Sequence, residues 1–354
     1  MKIVLYKDNL ATGRGADKAI CSLAGALAER GYDVTLATCS ESVNFSFAVN
    51  SRVAIARMDR FKVRSFTEAF DLCIAAGPNE IMDLTLSGKV RPPVKTIVEL
   101  LVYPKGFLKW KHFIRNYRLK KALNLADVLQ VQIRGYGDFL KSFARDPRIA
   151  VIGNWADVKE PEKDIGGGNV ILYLAAINKK KNQILAIEAF ESLALEFPDW
   201  ELHLYGMPAK KYGRKCMAEV ERNGLSSRIK FFPFTNDLPK AYSSASIMAY
   251  PSLLEGFPLA MVEGMKYRLP VVAVSSLAGV YDMVADGMTG IVTAPTVKAY
   301  AEGLRRLMSD EALRRRMGEA ARRFCLDNYS RDKILDKWEA LLRETVKCAN
   351  RAKA

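Results

Sequence analysis

The chain has 354 residues, of which 49% are hydrophobic and 26% are charged, and this composition excludes a disordered or fibrous protein. Its length predicts two domains, each able to bury a core of its own. Lys and Arg (54) outnumber Asp and Glu (39), and the formal net charge of +15 predicts an anionic partner: nucleic acid, acidic lipid headgroups or a phosphorylated small molecule.

The six cysteines lack Cys-x-x-Cys spacing, and the only histidines are His112 and His203. We therefore expect a reduced, cytoplasmic chain without a transition-metal site. The N-terminus runs into a strand pattern instead of a signal-peptide profile, and no apolar run reaches the roughly 20 residues of a spanning helix. Membrane association is expected to be peripheral, on the inner face of the cytoplasmic membrane.

Short apolar runs alternate with helix-like segments through the first half of the chain. The runs that predict buried strands are MKIVLY, YDVTLAT, AFDLCIAA, VKTIVELLV and DVLQVQI. A helical pattern such as KAICSLAGALAERG lies between them. This alternation predicts a doubly wound parallel sheet, a Rossmann-like α/β domain over residues 1–155.

The alternation pauses at residues 156–169, where Pro, Gly and charged residues predict a linker, and then resumes. The runs NVILYLAAI, WELHLYG, RIKFFPF, SIMAYPS and PVVAV predict a second Rossmann-like domain over residues 170–328. A charged helical tail follows, with a last helix over residues 329–354. We interpret His203 as a packed strand residue and the arginines at 314–316 as a solvated helix face.

Two such domains are expected to face each other across a cleft that binds the ligand at the strand ends. The first candidate motif is TGRGADKA, in which Gly13 and Gly15 follow the first strand and open a helix. A phosphate or sugar contact and a purely geometric tight turn are equally open there. Lys18 replaces the third glycine of a dinucleotide fingerprint, which disfavours a dehydrogenase.

The second motif is LLEGFPLAMVEGM, which follows the strand SIMAYPS. It places Glu255 before a Gly-Phe-Pro turn (256–258) and Glu263 in the helix that follows. The turn's N–H groups favour a phosphate, and Gly256 permits close approach. Carboxylates accept hydrogen bonds from vicinal hydroxyls, so the pair favours a nucleotide sugar. The competing interpretation is that both acids only complement the helix dipole.

A third feature is the basic stretch over residues 103–127. Its basic residues up to 121 are Lys105, Lys109, Lys111, Arg115, Arg118, Lys120 and Lys121, with no acid among them. On a helix, Phe107, Trp110, Ile114 and Tyr117 fall near one face. Such a segment favours an anionic membrane surface, with an ordinary helix whose apolar face is core as the equal alternative. Single-stranded nucleic acid also suits this composition, but no recognised nucleic-acid-binding module supports it.

The run SLLEGFPLAMVEGM…LPVVAV…AGVYDMVADGMTGIV, with NKKKNQILAIEAF and GRGADKAICSLAGALAERGYDVTLAT before it, resembles the family 4 retaining glycosyltransferases of the GT-B fold. The resemblance implies that Glu263 holds the donor's ribose hydroxyls and that Glu255 contacts the transferred sugar. It implies that the backbone of Gly256, Phe257, Pro258 and Leu259 cradles the diphosphate, and that no metal takes part. The chain agrees in containing no Asp-x-Asp motif.

Phosphate recognition departs from the family pattern. The family's diphosphate-binding lysine aligns with Lys181, but its arginine aligns with Ala176. Lys179 and Lys180 can compensate from the same loop, or can simply be solvated. The family's catalytic histidine falls near Leu101, which cannot hydrogen-bond a sugar.

The resemblance implies a hexosyltransferase-type enzyme that uses a UDP- or GDP-linked donor, no cofactor and front-face attack, with Lys181 stabilising charge. Its acceptor is expected to be a saccharide or lipid-linked glycan in surface polysaccharide or lipopolysaccharide biosynthesis. The first domain is expected to bind that acceptor, with Lys105, Lys109, Trp110, Lys111 and Arg115 as acceptor or membrane residues and the last helix crossing back to it. The alternative is a catalytically impaired homologue that serves as a glycan- or nucleotide-binding partner subunit, and a nucleotide-sugar epimerase is a weaker third.

Overall fold

A computed structural model describes residues 1–10, 15–40, 48–100, 113–145, 147–156, 158–159, 168–207, 210–235, 237–277 and 279–351. The chain divides into two compact units. Unit 1 comprises Met1–Asn154 and Ile334–Ala354, and unit 2 comprises Trp155–Lys333.

Unit 1 is built on a seven-stranded parallel sheet with the order β3-β2-β1-β4-β5-β6-β7. Its strands are β1 (Lys2–Tyr6), β2 (Asp33–Thr38), β3 (Ala54–Arg57), β4 (Leu72–Ala75), β5 (Lys95–Leu100), β6 (Val128–Val131) and β7 (Ile149–Val151). Its helices before residue 154 are α1 (Gly15–Glu29), α2 (Val63–Thr67), α3 (Pro78–Leu84), α4 (Phe113–Asn124) and α5 (Arg134–Phe143), with a 3-10 turn at Arg60–Lys62.

Unit 2 is built on a six-stranded parallel sheet with the order β10-β9-β8-β11-β12-β13. Its strands are β8 (Val170–Leu174), β9 (Glu201–Tyr205), β10 (Ile229–Phe232), β11 (Ile247–Tyr250), β12 (Val271–Val274) and β13 (Gly290–Thr293). Its helices are α6 (Gln183–Leu193), α7 (Lys210–Arg222), α8 (Leu238–Ser243), α9 (Leu259–Lys266), α10 (Val280–Met283), α11 (Val297–Ser309) and α12 (Glu311–Tyr329).

The predicted α/β class with two Rossmann-like domains is confirmed, and all ten predicted strands are present. Every residue of β4, β6, β11 and β12 is buried, as expected for central parallel strands covered on both faces. Sequence analysis missed β3, β7 and β13, which all lie at sheet edges. Strands β3 and β7 are short and partly exposed, so their apolar signal is weak.

The charged tail forms two helices, because Ser330 adopts an extended conformation between α12 and α13 (Arg331–Arg351). From Ile334 onward α13 is part of unit 1. Trp338 of α13 is buried, and Arg30, in the turn after α1, pairs with Asp336 at 3.1 Å.

The interpretation of the arginines at 314–316 as one solvated face was wrong for Arg314. Its guanidinium donates to the carbonyl oxygens of Leu307 at 2.8 Å and Met308 at 3.0 Å. It also lies 5.1 Å from the ring centre of Trp200. Arg314 therefore caps the C-terminal carbonyls of α11, an arrangement that depends on the break between α11 and α12 and is invisible in a charge run.

Each sheet has one point at which the strand order reverses, between β1 and β4 in unit 1 and between β8 and β11 in unit 2. Loops leave these strands in opposite directions, so a crevice opens beyond their carboxyl ends. Ligand sites are therefore expected at these two switch points.

Candidate functional site

Two loops meet at the switch point of unit 2, one after β8 (175–182) and one after β11 (251–258). The backbone N–H of Leu253 donates to the carbonyl oxygen of Lys180 at 2.9 Å. The Tyr173 hydroxyl, at the base of the loops, donates to the carbonyl oxygen of Lys181 at 2.8 Å and lies 2.8 Å from Ser252 Oγ. These bonds fix the two loops to each other.

Glu255 is the centre of this arrangement, and its side chain is only 7% exposed. Its Oε2 accepts from the Lys181 ammonium in a part-buried ion pair. Its Oε1 accepts from Tyr250 at 3.0 Å and from Ser252 at 2.6 Å. A buried carboxylate requires such compensation, and three donors hold it in one position.

The lysine loop is shaped by its own polar residues. Asn178 Oδ1 accepts from the backbone N–H groups of Lys180 at 3.0 Å and Lys181 at 3.3 Å, which forms a tight turn. Lys179 and Lys180 are exposed, whereas the Lys181 side chain is 22% exposed and turned to Glu255. Ala176 is exposed in the same loop, where the family resemblance places an arginine.

Gly206, which follows β9, keeps this loop close to the sheet. Its φ is +146°, and a Cβ at this position would lie 2.1 Å from the carbonyl oxygen of Ala175. A larger residue would displace the start of the lysine loop.

Glu263 lies on α9 and is buried, with 4% of its surface exposed. The Tyr242 hydroxyl donates to Glu263 Oε2 at 2.9 Å. Burial and the neighbouring Glu263 charge raise the pKa of Tyr242 well above its ordinary value, so the phenol stays protonated and remains a donor. Glu255 and Glu263 are thus held by different neighbours.

Pro258 precedes α9 as its N-cap residue. The N–H of Leu259 donates to Phe257 O at 2.9 Å, and that of Met261 donates to Pro258 O at 3.0 Å. The Leu259 N–H is therefore engaged within the turn, contrary to its expected availability to an anion. The Phe257 ring packs edge-on against Tyr329 at 5.6 Å, which stabilises the turn.

The predicted residues of unit 1 are described only in part. Gly15 is the first residue of α1. Arg115 lies on α4 and donates to Asn79 at 3.1 Å. Gly13, Leu101, Lys105, Lys109, Trp110 and Lys111 lie outside the described residues.

The described part of the predicted apolar face of α4 is not core. Ile114 is 67% exposed and Tyr117 is 54% exposed, whereas Leu119 and Leu123 are buried on another face. The exposed face also carries Lys121, whose ammonium lies 4.7 Å from the Tyr117 ring centre. Exposed aromatic and aliphatic side chains among cations distinguish this helix from an ordinary core helix.

Sequence reasoning missed the hydroxyls of Tyr250 and Ser252, which donate to Glu255, and of Tyr242, which donates to Glu263. It also missed Tyr173, which bonds to the Lys181 carbonyl and lies beside Ser252. A weak signal was present, because Tyr173 and Tyr250 interrupt otherwise aliphatic buried strands. His203, as predicted, is a strand residue, bonded to Glu201 at 2.6 Å and packed on Phe232.

Among the described residues, no three His, Cys, Asp or Glu side chains are grouped so as to hold a metal ion. None of the described helices combines the length and apolarity needed to cross a membrane.

The chain is similar to known glycosyltransferases in sequence and to a solved structure in fold. Residues 156–324, nearly all of unit 2, match the family model described as "Glycosyl transferases group 1". An "Uncharacterized glycosyltransferase" of Haemophilus influenzae is 23% identical over 96% of this chain and 99% of its own. The "Amylovoran biosynthesis glycosyltransferase AmsD" of Erwinia amylovora is 21% identical over the same shares.

A solved structure described as Anabaena Alr3699/HepE in complex with UDP has a TM-score of 0.81 to this chain. It is 18% identical and aligns over 97% of this chain and 100% of its own, so it shows the fold, which is GT-B. The second half of the chain is thus similar to group 1 glycosyltransferases, and two relatives named as glycosyltransferases align with nearly the whole chain.

Proposed function

We propose that this protein is a retaining, metal-independent glycosyltransferase. It transfers a sugar from a UDP- or GDP-linked donor to a saccharide or lipid-linked glycan in surface polysaccharide or lipopolysaccharide biosynthesis. The observation that carries the proposal is the Lys181–Glu255 pair at the switch point of unit 2, in which a buried Glu255 and a part-buried Lys181 are held by the hydroxyls of Tyr173, Tyr250 and Ser252. The UDP complex of HepE and the name of AmsD support the donor and the pathway class.

Each charged residue has a distinct role in this proposal. Lys181 neutralises the charge that develops on the leaving diphosphate, and exposed Lys179 and Lys180 add positive potential at the mouth of the loop. Glu255 accepts hydrogen bonds from hydroxyls of the transferred sugar. Glu263 accepts them from the ribose, in place of or beside the Tyr242 bond.

The way in which Glu255 is held argues against double displacement, one of the two routes to retention. A double-displacement reaction needs a carboxylate that can attack the anomeric carbon. Glu255 shares its charge with three donors, which lowers its nucleophilicity. We therefore propose front-face attack, in which the leaving phosphate oxygen takes the acceptor proton as the new glycosidic bond forms.

The exposed face of α4 supports peripheral binding to an anionic membrane, where a lipid-linked acceptor would be found. Ile114 and Tyr117 supply apolar contact, and Lys121 supplies positive charge. Flotation with vesicles rich in an anionic phospholipid tests this, with Ile114→Ser/Tyr117→Ser expected to stay in the soluble fraction. Equal binding of the wild type and the variant to the vesicles would show that α4 does not contact the membrane.

Ala176 favours a second candidate, a non-catalytic binding subunit. Without the family's arginine the loop lacks a bidentate phosphate ligand, and lysine is only a point charge. Binding without transfer would support this candidate.

Titration calorimetry with UDP, GDP and their sugars, without added metal, tests the donor site. We expect micromolar binding of one donor by the wild type and a loss of about 10- to 100-fold in Glu263→Gln, since one or two charged hydrogen bonds are removed. Glu302→Gln, on the exposed surface of α11, is the matched control and should bind normally. Failure of every donor to bind would refute the proposal.

A further inference from the structure

A chain of oxygen–oxygen contacts runs inward from Glu255 and returns to its own partner. Glu255 Oε1 lies 2.6 Å from Ser252 Oγ, which in turn lies 2.8 Å from the Tyr173 hydroxyl. That hydroxyl lies 2.8 Å from the carbonyl oxygen of Lys181, whose ammonium pairs with Glu255 Oε2. This hydroxyl chain therefore connects the two oxygens of one carboxylate through a second residue's backbone and side chain.

The hydroxyl chain has three contacts and fewer hydrogens than contacts. Ser252 and Tyr173 bring one hydrogen each, whereas a carbonyl oxygen and an ionised carboxylate bring none. Burial and the Glu255 charge raise the pKa of Tyr173 well above its ordinary value, so its hydrogen stays on the phenol. While Glu255 is ionised, one of the three contacts must therefore share a hydrogen or lack one.

A proton on Glu255 Oε1 completes the hydroxyl chain. The carboxyl then donates to Ser252, Ser252 donates to Tyr173, and Tyr173 donates to the Lys181 carbonyl, so each contact has its own hydrogen. The Tyr250 hydroxyl, 3.0 Å from the same carboxyl oxygen, can still donate to its remaining lone pair. The surroundings of Glu255 thus fit its protonated form as well as its ionised form.

The position of the Lys181 ammonium decides which form is present. In the free protein this ammonium compensates a carboxylate whose side chain is only 7% exposed. In the proposed reaction the same ammonium turns to the leaving diphosphate. A buried carboxylate that loses its cation while an anion approaches is costly, and binding a proton removes that cost.

The titratable side chains packed around the hydroxyl chain are tyrosines from β8, α7, α8, β11 and α11. Burial raises the pKa of each above its ordinary value, so they carry no charge that could replace the ammonium of Lys181. Lys179 and Lys180 are exposed on the same loop, and Glu263 on α9 is a second acid, bonded to one of the tyrosines. The tyrosines are Tyr173, Tyr212, Tyr242, Tyr250 and Tyr300.

We propose that Glu255 binds one proton from water when the donor's diphosphate draws Lys181 away, and releases it when the nucleoside diphosphate leaves. This inference rests on the proposed transferase function, because it requires Lys181 to contact the diphosphate. Ser252 and Tyr173 are positioning residues that hold the protonated Oε1. The Oε2 atom, vacated by Lys181, accepts a hydrogen bond from the transferred sugar, and the neutral carboxyl is a poor nucleophile, in agreement with front-face attack.

Infrared difference spectroscopy tests the protonation without any nucleotide. Lys181→Met removes the ammonium and keeps an unbranched side chain. Its spectrum at about pH 7 is compared with that of Lys181→Met/Glu255→Gln, and the wild type is compared with Glu255→Gln. Glu99, whose pKa is raised to about 8 by burial, contributes equally to both members of each pair.

We expect the carbonyl band of one protonated carboxyl in Lys181→Met that the double variant lacks. The wild type and Glu255→Gln should show no such difference, because Lys181 keeps Glu255 ionised. Absence of the band from Lys181→Met would overturn the inference.

Titration calorimetry of UDP and GDP, in buffers of different ionisation enthalpy, tests the coupling to the donor. At about pH 7 the wild type should take up about half a proton or more per nucleotide in excess of Glu255→Gln, a subtraction that removes the nucleotide's own titration. Tyr173→Phe deprives Ser252 of its acceptor and should show a smaller excess. Glu302→Gln, at an exposed position, should match the wild type.

A smaller excess in the wild type would show that Lys181 and Glu255 stay paired when nucleotide binds, and an equal excess in Tyr173→Phe would remove Tyr173 from the chain. Either result contradicts the inference. Failure of the proposed function is distinguishable, because the wild type would then bind no nucleotide. The coupling would fall with it, whereas the infrared comparison would still report on Glu255.

Discussion

Replacement of Glu99 by Gln should stabilise the protein, and increasingly so as pH rises. The variant keeps the shape of the side chain and removes the group that must ionise. The pKa of Glu99 is raised from 4.5 to about 8 in the folded chain by burial. Each pKa unit corresponds to about 1.4 kcal/mol of difference between the two protonation states.

The direction of this pH dependence follows from the raised pKa of Glu99 in the folded state. The stability associated with the un-ionised carboxyl is fully present below about pH 4.5 and is lost as pH rises through about 8. Between about pH 5.5 and about pH 8 the wild type should lose about 3 kcal/mol that the Gln variant retains. The stability gap between the two proteins should therefore widen by that amount.

Urea denaturation at the two pH values measures the difference in free energy of unfolding between Glu99→Gln and the wild type. Asp138→Asn is an exposed control, and its difference from the wild type should be the same at both pH values. If the difference between Glu99→Gln and the wild type does not depend on pH, Glu99 ionises normally in the folded chain. The reasoning about its burial would then be refuted.

Three further predictions concern unit 2. Lys181→Ala leaves the Glu255 charge buried without its cation, so donor affinity should fall about tenfold or more and the melting temperature should drop. Lys298→Ala, at an exposed position, should change neither the affinity nor the melting temperature. Calorimetry measures the affinity and thermal unfolding measures the melting temperature. Ala176→Arg supplies a bidentate phosphate ligand at an exposed loop position, so UDP or GDP should bind about tenfold more tightly. An unchanged affinity would show that residue 176 does not face the diphosphate. Tyr250→Phe deletes one hydrogen bond to Glu255 while keeping the ring, so the turnover number should fall more than the nucleotide affinity does. Equal losses in turnover number and in affinity would indicate that this hydrogen bond is purely structural.

The central strands could be predicted because parallel strands that are buried on both faces give continuous apolar runs, as in β11 and β12. Strand β3 was missed because its apolar run, residues 53–56, is short and lies between two arginines. Arg314 shows a different limit, since its role as a cap depends on where α11 ends. Composition and periodicity do not contain that information.

Glu255 and Glu263 could be predicted as candidate site residues from their strand-turn-helix context, but their hydrogen-bond partners could not. Tyr250 and Ser252 are close to Glu255 in sequence, whereas Tyr173 and Lys181 reach this cluster only because β8 and β11 are neighbours in the sheet. Glu99 had no motif at all and was read as part of an apolar strand. Its position became informative only when the register placed it opposite Gln130.

The most direct test of the central claim is transfer itself. Purified protein is mixed with membrane glycolipid extract and each of a set of radiolabelled UDP- and GDP-sugars, with and without a chelator, beside Glu255→Gln. We predict label in the glycolipid fraction from one donor, unaffected by the chelator and lost in the variant. A donor that binds wild type and is never transferred would contradict the transferase and identify a binding subunit.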